Sequence, residues 1–182
     1  MDVIEIVGYH GTTVAAAEAI MEHGFSSSRN EEDWLGDGAY FFQDAPSRAW
    51  EWAKEKAGRR DDNPAVVVAL VRLEDCMDFA DIGWAEGIKQ FYPECIAFRN
   101  RHGLPMPLQD GKAHRLDREV INFAIGRLAE EDQGGWRSVR GVFIEGKPVF
   151  RGSAIYDRSH IQVAVRDPSL ITVQRILVDP AA

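Results

Sequence analysis

The stretch AVVVALVRL, from Ala65 to Leu73, constrains the fold of this chain more than any other segment. Its run of β-branched residues is short, and Pro64 and the acidic pair Glu74-Asp75 bound it on either side. A segment of this length and composition predicts a strand rather than a helix. We expect this strand to take a central place in a sheet.

The segments on either side predict strands and helices within one domain, because 182 residues leave little room for two. Strands are predicted over residues 3–9, 39–42, 139–144, 149–150, 161–165 and 171–177, and helices over residues 14–22, 47–56, 84–101 and 117–130. Strands lie towards both ends of the chain with helices between them, without regular alternation. This order favours the α+β class, with a single domain over residues 1–182, rather than a doubly wound sheet.

Net charge limits the partners that the chain can have. With 21 basic and 29 acidic residues the net charge is −8, so nucleic acid and anionic membranes repel the molecule on average. A partner of either kind needs a local basic patch, and the candidates are the basic clusters within residues 54–60 and 89–119. The alternative is that both clusters are ordinary solvated surface.

The cysteines, the histidines and the distribution of apolar residues indicate which metal, disulfide and membrane features to expect. The two cysteines form no CxxC pair and the histidines at 102 and 114 form no HExxH motif, so neither a disulfide framework nor a metal site is expected. The first residues do not resemble a signal peptide, and no apolar run long enough for a membrane span occurs. We therefore expect a soluble cytoplasmic protein without metal or membrane partners.

A first candidate for chemistry is VGYHGTT at residues 7–13, in which His10 ends a predicted strand and Gly11 follows it. Glycine lets a ligand approach the backbone, so its N–H and C=O could hold a flat amide while the imidazole bonds a hydroxyl. The alternative is a histidine that only bonds the neighbouring turn.

A second candidate is WLGDGAYFFQDAPSRAWEWA at residues 34–53, where a predicted strand leads directly into a helix. This arrangement brings four aromatic side chains together beside small residues: Tyr40, Phe41, Trp50 and Trp52. Planar ligands fit such a slot by stacking, which contributes roughly 0.5–1.5 kcal/mol per ring pair beyond the area buried. The alternative is that these rings are simply part of the core.

Together the two motifs resemble the NAD-dependent ADP-ribosyltransferases of the His-Tyr-Glu type. GYHGTTVAAAEAIMEHGF resembles the opening of the catalytic domains of exotoxin A and diphtheria toxin, and LGDGAYFFQDAPSRA resembles a strand of the poly(ADP-ribose) polymerases. The resemblance extends over residues 1–55 and is thin beyond them. It implies a split β-sheet with an NAD cleft, and an enzyme that uses NAD as a substrate and transfers ADP-ribose to a protein or nucleic-acid acceptor.

The same resemblance implies roles for particular residues. The histidine would bond a ribose hydroxyl, the glycine would hold the nicotinamide carboxamide through its backbone, and the tyrosine would lie against the nicotinamide ring. A second aromatic ring would stack on nicotinamide from the following helix. The implied NAD-binding residues are His10, Gly11, Thr12, Tyr40 and Trp52, with Trp50 as the alternative to Trp52.

The third catalytic position of the family, a glutamate on a late strand, corresponds to Gln162, which completes a catalytic set with His10 and Tyr40. Glutamine keeps a hydrogen bond to a ribose hydroxyl but lacks the negative charge that stabilises an oxocarbenium-like transition state. This predicts a slow enzyme limited to single transfer, an enzyme that takes its carboxylate from elsewhere, or an acceptor whose nucleophile needs little activation. Glu145, at the turn in FIEGKP, is the alternative acid unless it is only a solvated turn residue.

Analogy with the family suggests an intracellular toxin, a phage-related modifier or a delivered effector, and a toxin would have an antitoxin as a partner. Two other functions stay open on the same fold. One is a module that binds NAD or ADP-ribose without turnover, which the glutamine at position 162 favours. The other is an NAD-dependent RNA 2′-phosphotransferase, which the aromatic GAYFF strand fits poorly.

Overall fold

The structure, a computed structural model, describes residues 4–30, 33–109, 114–131 and 135–179. Among them are seven strands in one sheet and four α-helices. The strands are β1 (Ile4–Thr13), β2 (Ala39–Gln43), β3 (Pro64–Leu73), β4 (Cys76–Asp78), β5 (Ser138–Phe143), β6 (His160–Val165) and β7 (Ile171–Val178). The helices are α1 (Val14–His23), α2 (Pro46–Gly58), α3 (Ile82–Arg101) and α4 (Arg115–Glu130), and a short 3₁₀ turn covers Pro168–Leu170.

The strand order is β4-β5-β6-β2-β1-β3-β7, and every neighbouring pair is antiparallel except β4 with β5. A mainly antiparallel sheet with separate helices is compatible with the predicted α+β class. The strand β3 is second from one edge, so the prediction of a central place was wrong. It is buried nevertheless, because it pairs with β1 and β7 along its edges and has helices on both faces.

Helices cover the sheet through small side chains. Ala17 of α1 packs against Ala65 and Val67, while Ala49 and Ala53 of α2 pack on the opposite face. At the other end of the sheet, α3 and α4 cover β4, β5 and β6 through a cluster that includes Met77, Ile121, Ile125 and Val139. Alanine on the inward side of a helix lets it lie close to a sheet, which explains how a chain of this size buries both faces.

Two of the predicted elements differ from those observed. β1 continues to Thr13 instead of ending near His10, because every residue from Ile4 to Thr13 pairs with β3. The strand predicted over residues 149–150 is absent, and only one isolated bridge, between Pro148 and Tyr156, forms there. The three-residue strand β4 was missed because so short a segment carries no periodic pattern.

The pairing between β1 and β2, in the middle of the sheet, is the shortest of its strand pairings. β1 and β2 pair only through Gly8 with Gln43 and Tyr9 with Phe42, whereas β1 pairs with β3 along its whole length. The strands form one sheet, and its two halves meet only at this short junction. Because just two residue pairs join its halves, β4-β5-β6-β2 and β1-β3-β7 can diverge beyond Tyr9.

The close approach of α2 to β1 predicts that Gly11→Ala destabilises the fold. A Cβ at Gly11 would lie 2.3 Å from the carbonyl oxygen of Ala49 and 3.0 Å from the amide nitrogen of Ala53. Because helix backbone cannot move aside as a flexible side chain can, we expect the free energy of unfolding to fall by about 3 kcal/mol in urea titrations. The matched control is Gly87→Ala in α3, where no atom lies within 4 Å of the added Cβ. This control should gain about 0.5–1 kcal/mol, and equal stability of the two variants would contradict the packing argument.

Candidate functional site

The backbone of Gly11 points into the gap between the two halves of the sheet. The carbonyl of Val7 accepts a hydrogen bond from the amide of Asp44, which directly follows β2, at 3.0 Å. In an antiparallel ladder the N–H and C=O of one residue point the same way, and the direction alternates along the strand. Tyr9 and Gly11 therefore also direct their N–H and C=O towards β2. The ladder ends at Tyr9, so it supplies no partner for Gly11.

His10 occupies the place where the ladder would continue. Extending the register from Tyr9 and Phe42 would pair Gly11 with Tyr40, so that the carbonyl of Tyr40 would accept from Gly11. Instead, that carbonyl is 2.8 Å from Nδ1 of His10. The imidazole thus replaces a backbone donor at this point, and the ladder gives the N–H and C=O of Gly11 no partner on β2.

The imidazole of His10 is neutral at pH 7. A carbonyl oxygen only accepts hydrogen bonds, so Nδ1 carries the proton and Nε2 keeps a lone pair. Burial lowers the pKa of His10 from 6.5 to about 4. The hydrogen bond to the carbonyl of Tyr40 opposes this shift, and the charge of Lys56 adds a smaller lowering. The ring packs against Phe25 and Phe41, at centroid distances of 5.2 and 5.9 Å. A neutral, fixed imidazole of this tautomer can accept a hydrogen bond from a hydroxyl.

The side chains of His10 and Tyr40 lie on opposite faces of the sheet. His10 contacts Phe41, and neighbouring residues of a strand face opposite ways. The resemblance leads to the expectation that both side chains surround one nicotinamide ring. The structure brings them together differently, because the imidazole reaches the backbone of Tyr40 rather than its phenol.

The phenol of Tyr40 is fixed by the loop that precedes β2. Its hydroxyl donates to the carbonyl of Gly36 at 2.7 Å and accepts from the amide of Leu35 at 2.8 Å. The ring packs against a cluster that includes Leu35 and Ile121. Burial, aided by the charge of Asp33, raises the pKa of Tyr40 far above its ordinary value, so the phenol stays neutral. Tyr40 is a rigid wall of the site that also belongs to the core.

A polar network, not anticipated from the sequence, holds this loop in place. The carboxylate of Asp37 accepts from Arg118 at 2.6 Å and from the side-chain amide of Asn122 at 3.1 Å. The backbone amide of Asp37 donates to Asn122 at 3.1 Å, and Arg166 donates to the same oxygen at 2.9 Å. Since α4 and the residue that follows β6 supply these side chains, the loop bonded to Tyr40 is anchored on two sides.

The two tryptophans of α2 have different surroundings. Trp50 packs with Leu177 against the cluster under the helix, whereas Trp52 is 39% exposed and has the Arg59 guanidinium 5.8 Å from its ring centroid. Residues four apart share a side of a helix, so Trp52 lies on the side of Lys56, whose charge acts on His10. Of the two rings, Trp52 is therefore the more exposed, and Trp50 is the one that packs against the core.

Gln162 shares a sheet face with Tyr40 and with α2. It pairs with Phe42 across the ladder between β2 and β6, and Phe42 packs beneath Ala49 and Ala53 of α2. Tyr40 lies two residues from Phe42, so it points to the same face and is a diagonal neighbour of Gln162. The side-chain nitrogen Nε2 of Gln162 lies 2.7 Å from Nε2 of His160.

The alternative acid, Glu145, is held in an ion pair. Its Oε2 lies 2.7 Å from Nη2 of Arg48, and the guanidinium of Arg48 also lies over the ring of Phe42, 5.4 Å from its centroid. The pair joins α2 to the segment that follows β5. Glu145 is therefore not a solvated turn residue, and its charge is compensated by Arg48.

Two residues of this region, Arg48 and His160, were not predicted from the sequence. Periodicity could have indicated both, because Arg48 lies one helical turn before Trp52 and His160 lies two strand positions before Gln162.

Thr12 does not line the gap. It pairs with Ala65 of β3 and is only 1% exposed, so its hydroxyl is not accessible to a ligand. The sequence prediction placed Thr12 in the NAD site because it follows Gly11 directly. In an extended strand, however, consecutive side chains point to opposite faces, and that of Thr12 is covered by the core.

The two basic clusters are partly neutralised within the chain. Their ion pairs join Lys54 to Asp179, Arg59 to Glu55, Lys89 to Glu86, Arg99 to Glu119 and Arg118 to Asp37. Lys112, which also belongs to the second cluster, lies outside the described residues. These pairs reduce the positive charge that either cluster offers to an anionic partner.

Neither a candidate metal-binding cluster nor a membrane-spanning helix occurs among the described residues. In that part of the chain no group of three or more His, Cys, Asp or Glu side chains could hold a metal ion. None of the helices in the same ranges is both long enough and apolar enough to cross a membrane.

Comparison with known proteins gives one partial relative. No model of a known protein family matches the chain. The chain is similar to the uncharacterized protein MJ0359 of Methanocaldococcus jannaschii, with 37% identity over 82 residues. The match covers 43% of this chain and 38% of the relative, so the chain spans well under half of that protein's length.

The lowered pKa of His10 predicts a pH dependence of stability. A histidine that titrates at 6.5 when unfolded and at about 4 when folded binds fewer protons in the folded state between these values. The contribution of neutral His10 to the free energy of unfolding is therefore complete above about pH 6.5. It is lost progressively as the pH falls towards about 4, and the total loss is up to about 3 kcal/mol. Urea titrations between these limits should show a steeper loss for the natural protein than for His10→Gln. Equal slopes would mean that His10 titrates normally.

Proposed function

We propose that this protein is a mono-ADP-ribosyltransferase that cleaves NAD and transfers ADP-ribose to a macromolecular acceptor. The observation that carries the proposal is the end of the β1–β2 ladder at Tyr9, beyond which the ladder gives the backbone N–H and C=O of Gly11 no partner on β2. A primary carboxamide such as that of nicotinamide presents one acceptor and two donors, which such a backbone pair complements. An ADP-ribosyltransferase fold is part of this proposal.

The other residues of the site fit the remaining parts of NAD. The lone pair on Nε2 of His10 would accept a hydrogen bond from a ribose hydroxyl. The neutral Tyr40 would form one wall for nicotinamide, and Trp52 would stack on the ring from α2. The carboxamide oxygen of Gln162, on the same face as Tyr40, would accept from a second hydroxyl.

The proposed reaction breaks the bond between nicotinamide and ribose and forms one between that ribose carbon and the acceptor. The electrons of the broken bond leave with nicotinamide, which becomes neutral, and the acceptor nucleophile loses its proton as it attacks. The site would act mainly by holding NAD and acceptor in line, because orientation removes much of the entropic cost of the transition state. Without a carboxylate at position 162, we expect a single transfer rather than chain elongation.

The acceptor, on this proposal, is a protein or a nucleic acid. The negative net charge and the internal pairing of the basic clusters favour a protein, since a nucleic acid would need a stronger positive surface. A cytoplasmic toxin or delivered effector, with an antitoxin as a partner, remains the role that the family resemblance suggests.

A second candidate function is binding of NAD or ADP-ribose without turnover. Two observations favour it: the amide of Gln162 carries no charge, and the nearby carboxylate of Glu145 is neutralised by Arg48. A site with these groups can bind ribose hydroxyls by hydrogen bonds and nicotinamide by stacking. It stabilises positive charge on the ribose less than a site with a free carboxylate does.

The first test uses NAD labelled on its adenine-side phosphate, incubated with the protein and a total cell extract. We expect a labelled macromolecule, released nicotinamide, and loss of the label on protease but not nuclease digestion.

A second test concerns the ring proposed to stack on nicotinamide. Trp52→Ala should weaken NAD binding by about tenfold in calorimetry, with little change in stability because the side chain is exposed.

The matched control is Trp50→Ala, on the other side of the same helix. It should lower the free energy of unfolding by about 2 kcal/mol, because Trp50 packs against the core, but leave NAD affinity unchanged. Binding of NAD without label transfer or nicotinamide release would select the binding module. Absence of NAD binding would refute both functions.

Restoring a carboxylate at position 162 predicts faster chemistry. Gln162→Glu should increase the rate of nicotinamide release by about tenfold or more, since it places negative charge beside the developing cation on the ribose. The measurement is nicotinamide release at saturating NAD, with Glu145→Gln as the control. If the rate is unchanged in the first variant and lost in the second, the acid is Glu145 and the role of position 162 is wrong.

A further inference from the structure

His160 and Gln162 form a linked pair on β6. They are two residues apart on one strand, so their side chains emerge on the same face. Their side-chain nitrogen atoms, Nε2 in both residues, lie 2.7 Å apart. The resemblance and the sequence patterns assign a role to Gln162 only, so this contact calls for an explanation of its own.

The ring of His160 is fixed on all sides. Only 7% of the residue is exposed, and its imidazole lies between Phe42 and Phe143, at centroid distances of 5.0 and 5.6 Å. Its Nδ1 lies 2.7 Å from the backbone carbonyl of Arg158. Because that carbonyl can only accept, Nδ1 carries the proton of the neutral ring.

This tautomer determines the orientation of the glutamine amide. With its proton on Nδ1, the neutral imidazole has only a lone pair at Nε2, so its partner must be a donor. The NH₂ group of Gln162 is such a donor, whereas its oxygen is not. A solvated amide can turn freely, but this one is held with NH₂ towards His160 and its oxygen directed away from that ring.

We propose that His160 is a positioning residue that presents the carboxamide oxygen of Gln162 as the hydrogen-bond acceptor for a ribose hydroxyl of NAD. The identity of the ligand in this inference rests on the proposed function. The orientation of the Gln162 amide does not, because it follows from the contact with His160. It gives the glutamine one property of the missing carboxylate, an oxygen that accepts from a hydroxyl. The charge of the carboxylate is not replaced.

The charge on His160 controls this orientation. Two charged groups act on the ring, Arg48 from α2 and Glu145 from the segment after β5, and their effects oppose one another. Burial is the larger influence and lowers the pKa of His160, so the ring is neutral at pH 7. Once protonated, Nε2 would become a donor, and the amide would have to turn its oxygen towards His160 and its NH₂ towards the ligand. NAD affinity should then fall.

The first experiment observes the amide directly in the protein without NAD. The side-chain NH₂ signals of Gln162 are recorded by ¹⁵N NMR between pH 4.5 and 8, and assigned by their loss in Gln162→Leu. We expect these signals to shift with the titration of His160. The shift should disappear in His160→Gln, whose own amide oxygen still accepts from Gln162 but does not titrate, and in His160→Leu, which offers no acceptor.

The second experiment measures NAD affinity over the same pH range. We expect the natural protein to bind about tenfold more weakly once His160 is protonated. His160→Leu should bind about tenfold more weakly at every pH, and His160→Gln should bind as well as the natural protein does at pH 8, with less pH dependence. His10 is present in all three proteins, so any difference in their NAD affinity at a given pH is due to the change at position 160. Urea titrations check that each variant is folded.

The outcomes separate this inference from the proposed function. If NAD binds but the Gln162 signals do not follow His160, or His160→Leu binds NAD normally, the positioning role is wrong and the proposed function is untouched. If the signals follow His160 as expected but the natural protein binds no NAD, the proposed function and the ribose assignment fail together. Rescue of NAD affinity by His160→Gln but not by His160→Leu is the result that supports the positioning role.

Discussion

The hydrogen bond from the imidazole of His10 to the backbone carbonyl of Tyr40 is the contact on which the site depends. It satisfies a buried carbonyl that a continuous sheet would satisfy with the amide of Gly11, so β1 and β2 can separate without leaving that carbonyl unpaired. The same bond fixes the tautomer of the ring and leaves the backbone of Gly11 directed at the gap. A protonated imidazole would keep the bond at Nδ1, but would lose the lone pair that a ribose hydroxyl needs.

Neutral groups dominate the surroundings of this gap. Burial keeps both the imidazole of His10 and the phenol of Tyr40 uncharged, and an amide stands at position 162. The carboxylate of Glu145 is compensated by Arg48. On the proposed function, such a site binds by hydrogen bonds and stacking, and orientation rather than charge supplies most of its effect on the reaction.

Local patterns in the sequence predict the elements better than their arrangement. Helix α1 was predicted to within one residue, because its start and end depend on local signals: in the structure Thr13 caps its start and Gly24 follows its end. The position of β3 near an edge follows from which strands pair, and no local pattern carries that information. For the site, the motif around His10 and Gly11 was visible, whereas the burial of Thr12 and the anchoring by Asn122 depend on residues far apart in the chain.

Helix α2 couples the stability of the fold to the proposed chemistry. Its alanines lie against Gly11 and Phe42, while its other sides carry Arg48 and Trp52. A displacement of the helix by a larger residue at position 11 would therefore move the proposed stacking ring and the partner of Glu145 together. Two reasons favour glycine at position 11. The close approach of α2 leaves no room for a Cβ, and on the proposed function a ligand must reach the backbone of this residue. Conformational freedom is not one of them, since Gly11 is not among the residues with positive φ.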